Sequence, residues 1–171
     1  MTRREDLIGK RLLGVELPST SGGALDLGSD DGSQRIVFVY PRTGDPAHPD
    51  STAWAAIPGA RGCTAEACSF RDLRDEFAAL GWDVAGCSAQ TTAYQVEAAA
   101  RLHLPYPLLS DTGLILCDAL GLATFEFDDL ILYRRVTLLI VSGVVVDLLV
   151  ADDDPSHHVT EVLRLVQVER H

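Results

Sequence analysis

RGCTAEACSFRDL, at residues 61–73, is the stretch that decides the fold, because it places two cysteines at the start of a helical pattern. Apolar residues recur at spacings of three and four, which predicts a helix with one buried face: Phe70, Leu73, Phe77 and Leu80. Cys63 then falls in the first turn, where unpaired backbone N–H groups stabilise an anion such as a thiolate. The thiolate is the form of cysteine that attacks other atoms.

The second cysteine, Cys68, is predicted on the same helix, about 7.5 Å further along the axis and turned by about 140°. A disulfide needs α-carbons roughly 4.4–6.8 Å apart, so Cys63 and Cys68 bond only if the helix start unwinds. One interpretation is a redox pair whose cycle includes local unfolding. The other is that all four cysteines fill the core, where cysteine is common. The residue pattern alone leaves both open.

Size and charge limit the classes of function. With 171 residues, the chain is predicted to form a single domain over residues 1–171. Its net charge of −11, with scattered basic residues, argues against nucleic acid as a partner. The apolar runs are too short for a signal peptide or a membrane span, so we expect a cytoplasmic protein. Thiols stay reduced in that compartment, where a close cysteine pair is more often catalytic or metal-binding than structural.

Zinc is the competing explanation for the cysteine pair. A structural zinc site usually takes four ligands from cysteine and histidine. Only Cys63 and Cys68 cluster, and no histidine lies beside them at ligand spacing. We therefore expect no metal.

The predicted elements alternate between strand and helix. Residues 7–30 form a β-hairpin at the domain edge, and residues 35–40 form a buried central strand ending at Pro41. After the cysteine helix come a strand at 81–86, a helix at 92–102, a short strand within 104–111, a helix ending at Gly121, a hairpin of 132–141 and 144–150, and a closing helix at 156–168. This order predicts an α/β fold, a central mixed sheet flanked by helices with an N-terminal β-hairpin extension. A cysteine at the start of the helix after a central strand is the thioredoxin-like placement.

A long loop separates the central strand from the cysteine helix. Residues 42–61 are rich in Pro, Gly, Asp and Ser, and loops of this length are usually functional or disordered. Trp54 either pins this loop as a wall of the active site or belongs to a solvated insertion.

Two adjacent arginines are predicted within one strand, where alternation sends Arg134 and Arg135 to opposite faces. One then faces solvent, and the other faces the protein body, where it needs an anionic partner. Cys87 and Cys117 are interpreted as core residues, because neither has a partner or an activating charge in the sequence. His157 and His158, near the start of the closing helix, are interpreted as solvated.

Four blocks span nearly the whole chain: Phe38-Val-Tyr-Pro41, Gly62-Cys63-Thr64-x-Glu66-Ala67-Cys68-x-Phe70-Arg71-Asp72, Leu104-Pro-x-Pro-Leu-Leu-Ser-Asp111 and Arg135-x-Thr137-Leu-Leu-Ile140. In this order they resemble the peroxiredoxin Q group, also called bacterioferritin comigratory proteins. The resemblance implies a thioredoxin fold and a thiol-dependent peroxidase, acting on hydrogen peroxide or organic hydroperoxides without metal or organic cofactor. It also implies that Cys63 is the peroxidatic cysteine and Cys68 the resolving one. Thioredoxin or a similar dithiol would reduce their disulfide, and the protein would commonly be a monomer.

The resemblance assigns roles around Cys63. Arg135 matches the family's catalytic arginine, which lowers the pKa of the cysteine and stabilises charge on the peroxide, and Arg134 does not match it. Pro41, Gly62 and Thr64 are assigned to the substrate pocket.

One part of the family pattern is missing. The family carries a threonine three positions before the cysteine, where this chain has Ala60. Thr43 is the first candidate to supply that hydroxyl, with Ser51 and Thr52 as alternatives. Arg61 replaces a usual proline and is included in the pocket, where it either adds positive charge near the sulfur or points into water.

Two other functions remain to be separated from a peroxidase. A thiol-disulfide oxidoreductase is one, although that chemistry favours Cys-x-x-Cys, which brings the thiols together without unfolding. The other is a non-enzymatic redox sensor or binding module on the same fold. The rate of reaction with hydrogen peroxide distinguishes them.

Overall fold

The computed structural model describes residues 3–44, 47, 50–57, 60–151 and 154–168. The strands are β1 (Glu16–Pro18), β2 (Ala24–Asp26), β3 (Gln34–Val39), β4 (Asp83–Ser88), β5 (Leu108–Ser110), β6 (Thr124–Phe127), β7 (Leu130–Tyr133), β8 (Val136–Val141) and β9 (Val144–Val150). The helices are α1 (Arg4–Leu7), α2 (Thr52–Ala55), α3 (Cys63–Asp72), α4 (Arg74–Ala79), α5 (Thr92–Arg101), α6 (Ile115–Leu120) and α7 (Pro155–Val168).

A five-stranded mixed sheet in the order β5-β4-β3-β8-β9 forms the centre. Strands β3, β4 and β5 run parallel, whereas β8 and β9 are antiparallel to their neighbours. The run from Ile36 to Val39 is fully buried, because helices cover both faces of the sheet. Ile36 and Phe38 pack towards α3 and α7, and Val37 and Val39 pack on the opposite side. The predicted α/β architecture is confirmed.

The N-terminal hairpin lies where the sequence predicts it. Strands β1 and β2 pair antiparallel, with Leu17 opposite Leu25. Ser19 bridges to Leu109 on β5, which attaches the hairpin to that edge of the central sheet. In the second predicted hairpin, Ser142 and Gly143 turn with φ angles of 47° and 81° between β8 and β9, as a tight two-residue turn requires.

The predicted strand over residues 132–141 is wrong in its first part. Leu132 and Tyr133 belong to β7, which pairs with β6 in a separate two-stranded sheet. Arg134 and Arg135 lie between β7 and β8, where the chain passes from one sheet to the other. Apolar residues on both sides of Asp128-Asp129, within residues 125–133, carry the signal for this additional hairpin.

The segment after the central strand has more structure than a long loop. Ser51 caps α2 by accepting the Trp54 N–H at 3.1 Å. Trp54 is 1 % exposed and packs against Phe125 and Phe127 of β6. Trp54 therefore pins this segment to β6, whereas the described residues 50–53, 55 and 56 around it are exposed. Residues 45, 46, 48, 49, 58 and 59 of the predicted loop lie outside the described residues.

One predicted helix and one predicted strand have different boundaries in the structure. The helix through Leu80 is interrupted at Leu73 (φ −101°, ψ 5°) between α3 and α4, although the Phe77 N–H still bonds to the Leu73 carbonyl at 3.1 Å. The strand predicted at 81–86 begins two residues later, so that Cys87 lies inside β4.

The closing helix α7 begins as predicted. Asp154 Oδ1 accepts the His157 N–H at 3.2 Å ahead of Pro155 in the first turn. The interpretation of His158 as solvated is wrong, because its side chain is 1 % exposed. Its spacing with Val162 and Val166 puts it on the apolar stripe of the helix. Across the described ranges, no helix is both long and apolar enough to span a bilayer.

Candidate active site

Gly62 brings the chain into α3 in a conformation that favours glycine. Its φ is 95°, and its carbonyl accepts the Glu66 N–H at 2.8 Å to begin the helix. A β-carbon at this position would lie 2.9 Å from Pro155 Cγ and 3.5 Å from Arg135 Nη1. Gly62 thus allows α7 and Arg135 to approach the first turn of α3, where Cys63 lies.

The Cys63 thiol is enclosed by the protein. Cys63 is 3 % exposed, and its Sγ lies 3.7 Å from the Ala60 carbonyl oxygen. Burial, with Glu66 as a second cause, raises the pKa of Cys63 to about 12, while Arg135 and the Arg42 backbone N–H act in the opposite direction. In this conformation, desolvation of the anion therefore opposes the stabilisation of a thiolate that the start of the helix provides.

Arg135 is the arginine that faces the protein body. Its Nη1 donates to the Arg61 carbonyl at 3.1 Å, and its Nη2 lies 3.2 Å from Glu66 Oε2. Arg134 is exposed, with its guanidinium 5.3 Å from the Phe125 ring centroid. The predicted division into one solvated and one buried, ion-paired arginine is confirmed, although the two residues occupy a connection rather than a strand.

Glu66 is the acidic partner that sequence reasoning did not assign. It is 1 % exposed and lies one helical turn after Cys63. Burial raises the pKa of Glu66 to about 7, against the opposing effect of Arg135. Its Oε2 faces Arg135 and also lies 3.6 Å from His158 Nε2. Its Oε1 is buried and has no hydrogen-bond partner among the described residues.

His158 completes this buried cluster from the other side. Its Nε2 lies 2.8 Å from the Thr137 hydroxyl of β8. The cluster therefore joins α3, α7, β8 and the connection before β8. The period of the apolar residues on α7 could have identified His158 as buried, but not its neighbour Glu66.

Cys68 lies on α3, as predicted, and is half-buried. All four cysteines are free thiols, and ideal helix geometry separates the α-carbons of Cys63 and Cys68 by about 8–9 Å. Between them, the Tyr106 hydroxyl donates to the Ala67 carbonyl at 2.7 Å. This conformation of α3 is therefore incompatible with a disulfide between the two.

The remaining cysteines lie apart from this helix. Cys87 is fully buried in β4, as expected of a core residue. Cys117 is half-buried on α6, with its Sγ 3.5 Å from the Leu122 carbonyl, so it lies at the border of the core. Within the described ranges, no three side chains of His, Cys, Asp or Glu are grouped to hold a metal ion.

The candidate hydroxyls differ sharply in environment. Thr43 is 2 % exposed, and its Oγ1 has no hydrogen-bond partner within the described part of the chain. It directly follows Arg42, whose backbone N–H acts on the Cys63 sulfur. Ser51 is used as the cap of α2, and Thr52 is exposed.

The other predicted pocket residues fall into two groups. Pro41 is buried at the end of the central strand. Thr64 is half-buried and accepts the Gly44 N–H at 3.2 Å, which ties the loop to the first turn of α3. Arg61 contributes its carbonyl to Arg135, but its side chain is exposed. Of the two alternatives for Arg61, exposure to water is the one observed.

A cleft of about 820 Å³ lies beside this site. Thr43 and Arg42 are among its lining residues, and the Arg42 guanidinium stacks 3.9 Å from the Trp54 ring centroid. Apolar side chains from the β6–β7 hairpin and from the residue before α6 also line it: Leu114, Phe127, Leu130, Ile131 and Leu132. Cys63 does not line the cleft itself.

The sequence and the fold both match known proteins. The Redoxin family model matches residues 8–164. Among curated relatives, chloroplastic peroxiredoxin Q of Populus jackii is 29% identical over 151 residues, covering 88% of this chain and 63% of that protein. A putative peroxiredoxin bcp of Coxiella burnetii is 28% identical over 114 residues, covering 67% of this chain and 66% of that protein. The chain thus spans a little under two thirds of the length of the first plant relatives.

Solved structures agree with the predicted thioredoxin-like fold. Peroxidoxin BcpB from Mycobacterium tuberculosis superposes with a TM-score of 0.74 at 25% identity, covering 96% of this chain and 99% of that one. Peroxiredoxin Q of Xanthomonas campestris gives a TM-score of 0.76 at 21% identity, covering 97% of this chain and 99% of that one. The predicted fold and the resemblance to the peroxiredoxin Q group are confirmed.

Proposed function

Because this chain belongs to the Redoxin family, within its peroxiredoxin Q group, we propose that it is a thiol-dependent peroxidase with Cys63 as the peroxidatic cysteine. The observation that carries this proposal is the position of Arg135. Its buried guanidinium is held by the Arg61 carbonyl and by Glu66 at the start of α3, so that it acts electrostatically on the Cys63 sulfur.

In the proposed first step, the Cys63 thiolate attacks one oxygen of the peroxide and the O–O bond breaks. The sulfur becomes a sulfenic acid, and the leaving oxygen takes a proton to form an alcohol or water. Arg135 stabilises negative charge on the sulfur and on the peroxide oxygens. Pro41, Gly62 and Thr64 shape the pocket, since they bring the end of β3, the loop and α7 against the first turn of α3.

Cys68 is the proposed resolving cysteine. Its thiolate attacks the sulfenic sulfur of Cys63, the S–O bond breaks, and an intramolecular disulfide forms, while the leaving hydroxide takes up a proton to become water. The separation of the two residues on α3 requires the first turns of the helix to unwind before this step. An external dithiol, thioredoxin or a similar protein, then reduces the disulfide and lets α3 re-form.

Thr43 is the proposed source of the hydroxyl that the family places three residues before the cysteine. A buried hydroxyl without a partner in the described chain is expensive, and a peroxide oxygen would supply that partner. Thr43 also lines the cleft, so the residue that carries this buried hydroxyl borders a space large enough for a peroxide.

The cleft supports organic hydroperoxides as substrates beside hydrogen peroxide. Its lining includes Leu114, Phe127 and Leu130, which an apolar tail would contact. A bacterioferritin comigratory protein of Xanthomonas campestris is described by its alkyl peroxide reduction activity, which supports the same substrate class for this chain.

Stopped-flow mixing of the reduced protein with hydrogen peroxide tests the proposed function. We expect a rate orders of magnitude above that of a free thiol, and loss of the reaction in Cys63→Ser. Intact and peptide masses after one equivalent of peroxide should show Cys63 linked to Cys68, with Cys87 and Cys117 unmodified. A slow rate would favour the redox sensor, and rapid exchange with protein disulfides instead of peroxide would favour the oxidoreductase.

The remaining predictions concern the state of the protein in the cell. A single domain over residues 1–171, a monomeric state and a cytoplasmic location stay predictions. Analytical ultracentrifugation and cell fractionation measure the last two directly.

A further inference from the structure

The buried cluster behind Cys63 contains more ionisable groups than binding a peroxide requires. The side chains of Glu66 and His158 are each 1 % exposed, and neither residue lines the cleft. Burying two ionisable groups lowers the free energy of unfolding unless their interaction compensates, because both groups lose hydration. The attack on peroxide, by contrast, needs a proton to leave the enclosed Cys63 thiol.

We propose that His158 is a positioning residue and that the Glu66–His158 pair holds the proton that Cys63 gives up. This inference rests on the proposed peroxidase function and adds a route for the proton. The S–H bond of Cys63 breaks, and an O–H bond on Glu66 or an N–H bond on His158 forms. After the O–O bond breaks, the same proton ends on the leaving alkoxide or hydroxide, so the overall reaction remains a thiol and a peroxide giving a sulfenic acid and an alcohol or water.

The first support is the position of Glu66 relative to Cys63. The two are three residues apart on α3, which places their side chains on the same side of the helix. The carboxylate and the thiol influence each other, since Glu66 raises the pKa of Cys63. Moving one proton from the thiol to the carboxyl keeps the net charge of the buried cluster unchanged, with Arg135 as its fixed cation.

The second support is the geometry at His158. One ring nitrogen, Nε2, lies 2.8 Å from the Thr137 hydroxyl and 3.6 Å from Glu66 Oε2. Thr137 therefore fixes the ring against the carboxylate. When the ring is protonated, its positive charge opposes the effect of the Glu66 carboxylate on the nearby sulfur.

Within the described part of the chain, this pair has titratable neighbours on several elements. Four such side chains there contact the pair or interact electrostatically with Glu66: Cys63 on α3, Arg135 before β8, Tyr40 after β3 and Tyr106 before β5. Burial raises the pKa of both tyrosines, so they stay neutral. On α7, His157 and Glu161 pair with each other at 3.7 Å on the solvent side.

Ionisation of Cys63 tests the inference separately from peroxidase activity. The thiolate absorbs near 240 nm, and subtracting the spectrum of Cys63→Ser isolates its signal as the pH is varied. His158→Gln keeps a polar side chain of similar reach but cannot carry a proton. We expect its Cys63 midpoint about one pH unit or more higher, because the pair has lost one of the two sites that hold the proton of the thiol. Glu66→Gln should move the midpoint in the opposite direction, since a negative neighbour is removed.

A purely structural role for His158 gives a different result. Loosened packing would admit water to the sulfur and lower the Cys63 midpoint. An unchanged or lowered midpoint in His158→Gln therefore overturns the inference. Thr137→Val, which removes the hydroxyl that holds the ring, should raise the midpoint by a smaller amount and serves if His158→Gln does not fold. His157→Gln, at an exposed neighbouring position, should match the unmodified protein. If the protein does not react with peroxide, the proposed function fails, but these titrations still decide the proton inference.

Discussion

Arg135 Nη2 lies 3.2 Å from Glu66 Oε2, and the two side chains are 2 % and 1 % exposed. The pair connects the chain before β8 to the first turn of α3, the helix that carries both Cys63 and Cys68. Unwinding of α3 for disulfide formation would therefore separate Arg135 from Glu66. In this way the charge environment of Cys63 depends on the helix being intact.

Arg135→Ala should slow the reaction with peroxide by about 100-fold or more, because a charged donor beside the reacting atoms is lost. It should also lower the free energy of unfolding by about 3–5 kcal/mol, since Glu66 is left buried without its cation. Stopped-flow kinetics and urea unfolding measure the two effects. Arg134→Ala is the matched control, because Arg134 is exposed. Equal kinetic effects of the two substitutions would contradict the role given to Arg135.

Because of Glu66, the free energy of unfolding should fall as the pH rises towards neutrality. Burial raises its pKa to about 7 from an ordinary value of 4.5, so between these pH values the folded state binds more protons than the unfolded state. The free energy of unfolding then falls as the pH rises from about 4.5 to above 7, by up to about 3 kcal/mol from this group.

The contribution of Glu66 is measured as the difference in unfolding free energy between the unmodified protein and a Glu66 variant, because other carboxylates add their own pH dependence to both. Urea unfolding of the unmodified protein and of Glu66→Gln at pH 5 and pH 8 gives that difference. The advantage of the unmodified protein should be greater at pH 5. A difference independent of pH would show that Glu66 titrates near its ordinary value.

The sequence predicts the parts of this molecule that depend on local pattern. The buried run before Pro41, the helix at Cys63 and the turn at Ser142-Gly143 follow from residue type and spacing. The strand boundary at Arg134 was missed because a continuous run of β-forming residues cannot show where a chain leaves one sheet for another. The position at which the chain leaves β7 for β8 depends on packing of the β6–β7 hairpin against Trp54, which is distant in sequence.

The site was predictable to a similar extent. Cys63, Cys68 and Arg135 follow from motif and alternation, but the raised pKa of Cys63 does not, because burial of the thiol depends on the packing of α7 and the loop. His158 was misjudged since two adjacent histidines at a helix start are usually solvated. Its contact with Thr137 and Glu66 joins three distant parts of the chain.

Gly62→Ala should destabilise the start of α3. The φ of 95° costs a residue with a β-carbon about 1–2 kcal/mol, and the new atom would lie 2.9 Å from Pro155 Cγ. We expect a loss of at least this amount in urea unfolding and a slower reaction with peroxide, since Arg135 and α7 must move away. Gly113→Ala is the control, because its β-carbon would meet only Ile115 Cγ1 at 3.7 Å. Similar losses in both variants would argue against a special role for Gly62.

Tyr106→Phe should speed disulfide formation without changing the first step. The Tyr106 hydroxyl bonds to the Ala67 carbonyl at 2.7 Å, between the two cysteines. Losing a hydrogen bond worth about 1 kcal/mol makes unwinding of α3 about five-fold easier. Quenched-flow alkylation and mass spectrometry follow the Cys63–Cys68 disulfide. Tyr133→Phe removes a hydroxyl that bonds to Asp111, away from α3, and should leave this rate unchanged. Slower resolution in Tyr106→Phe would mean that the hydroxyl assists the disulfide step instead.

Thr43→Val tests the hydroxyl that replaces the one missing at Ala60. Valine has nearly the same shape, and the Thr43 Oγ1 has no hydrogen-bond partner in the described chain, so stability should be unchanged or slightly increased. The rate with hydrogen peroxide should nevertheless fall about ten-fold or more, because the peroxide loses a positioned hydrogen bond. Thr52→Val, at an exposed position on α2, should leave both unchanged. If Thr43→Val reacts at the full rate, another group supplies the hydroxyl. If it loses both rate and stability, the effect comes from packing of the loop rather than from contact with peroxide.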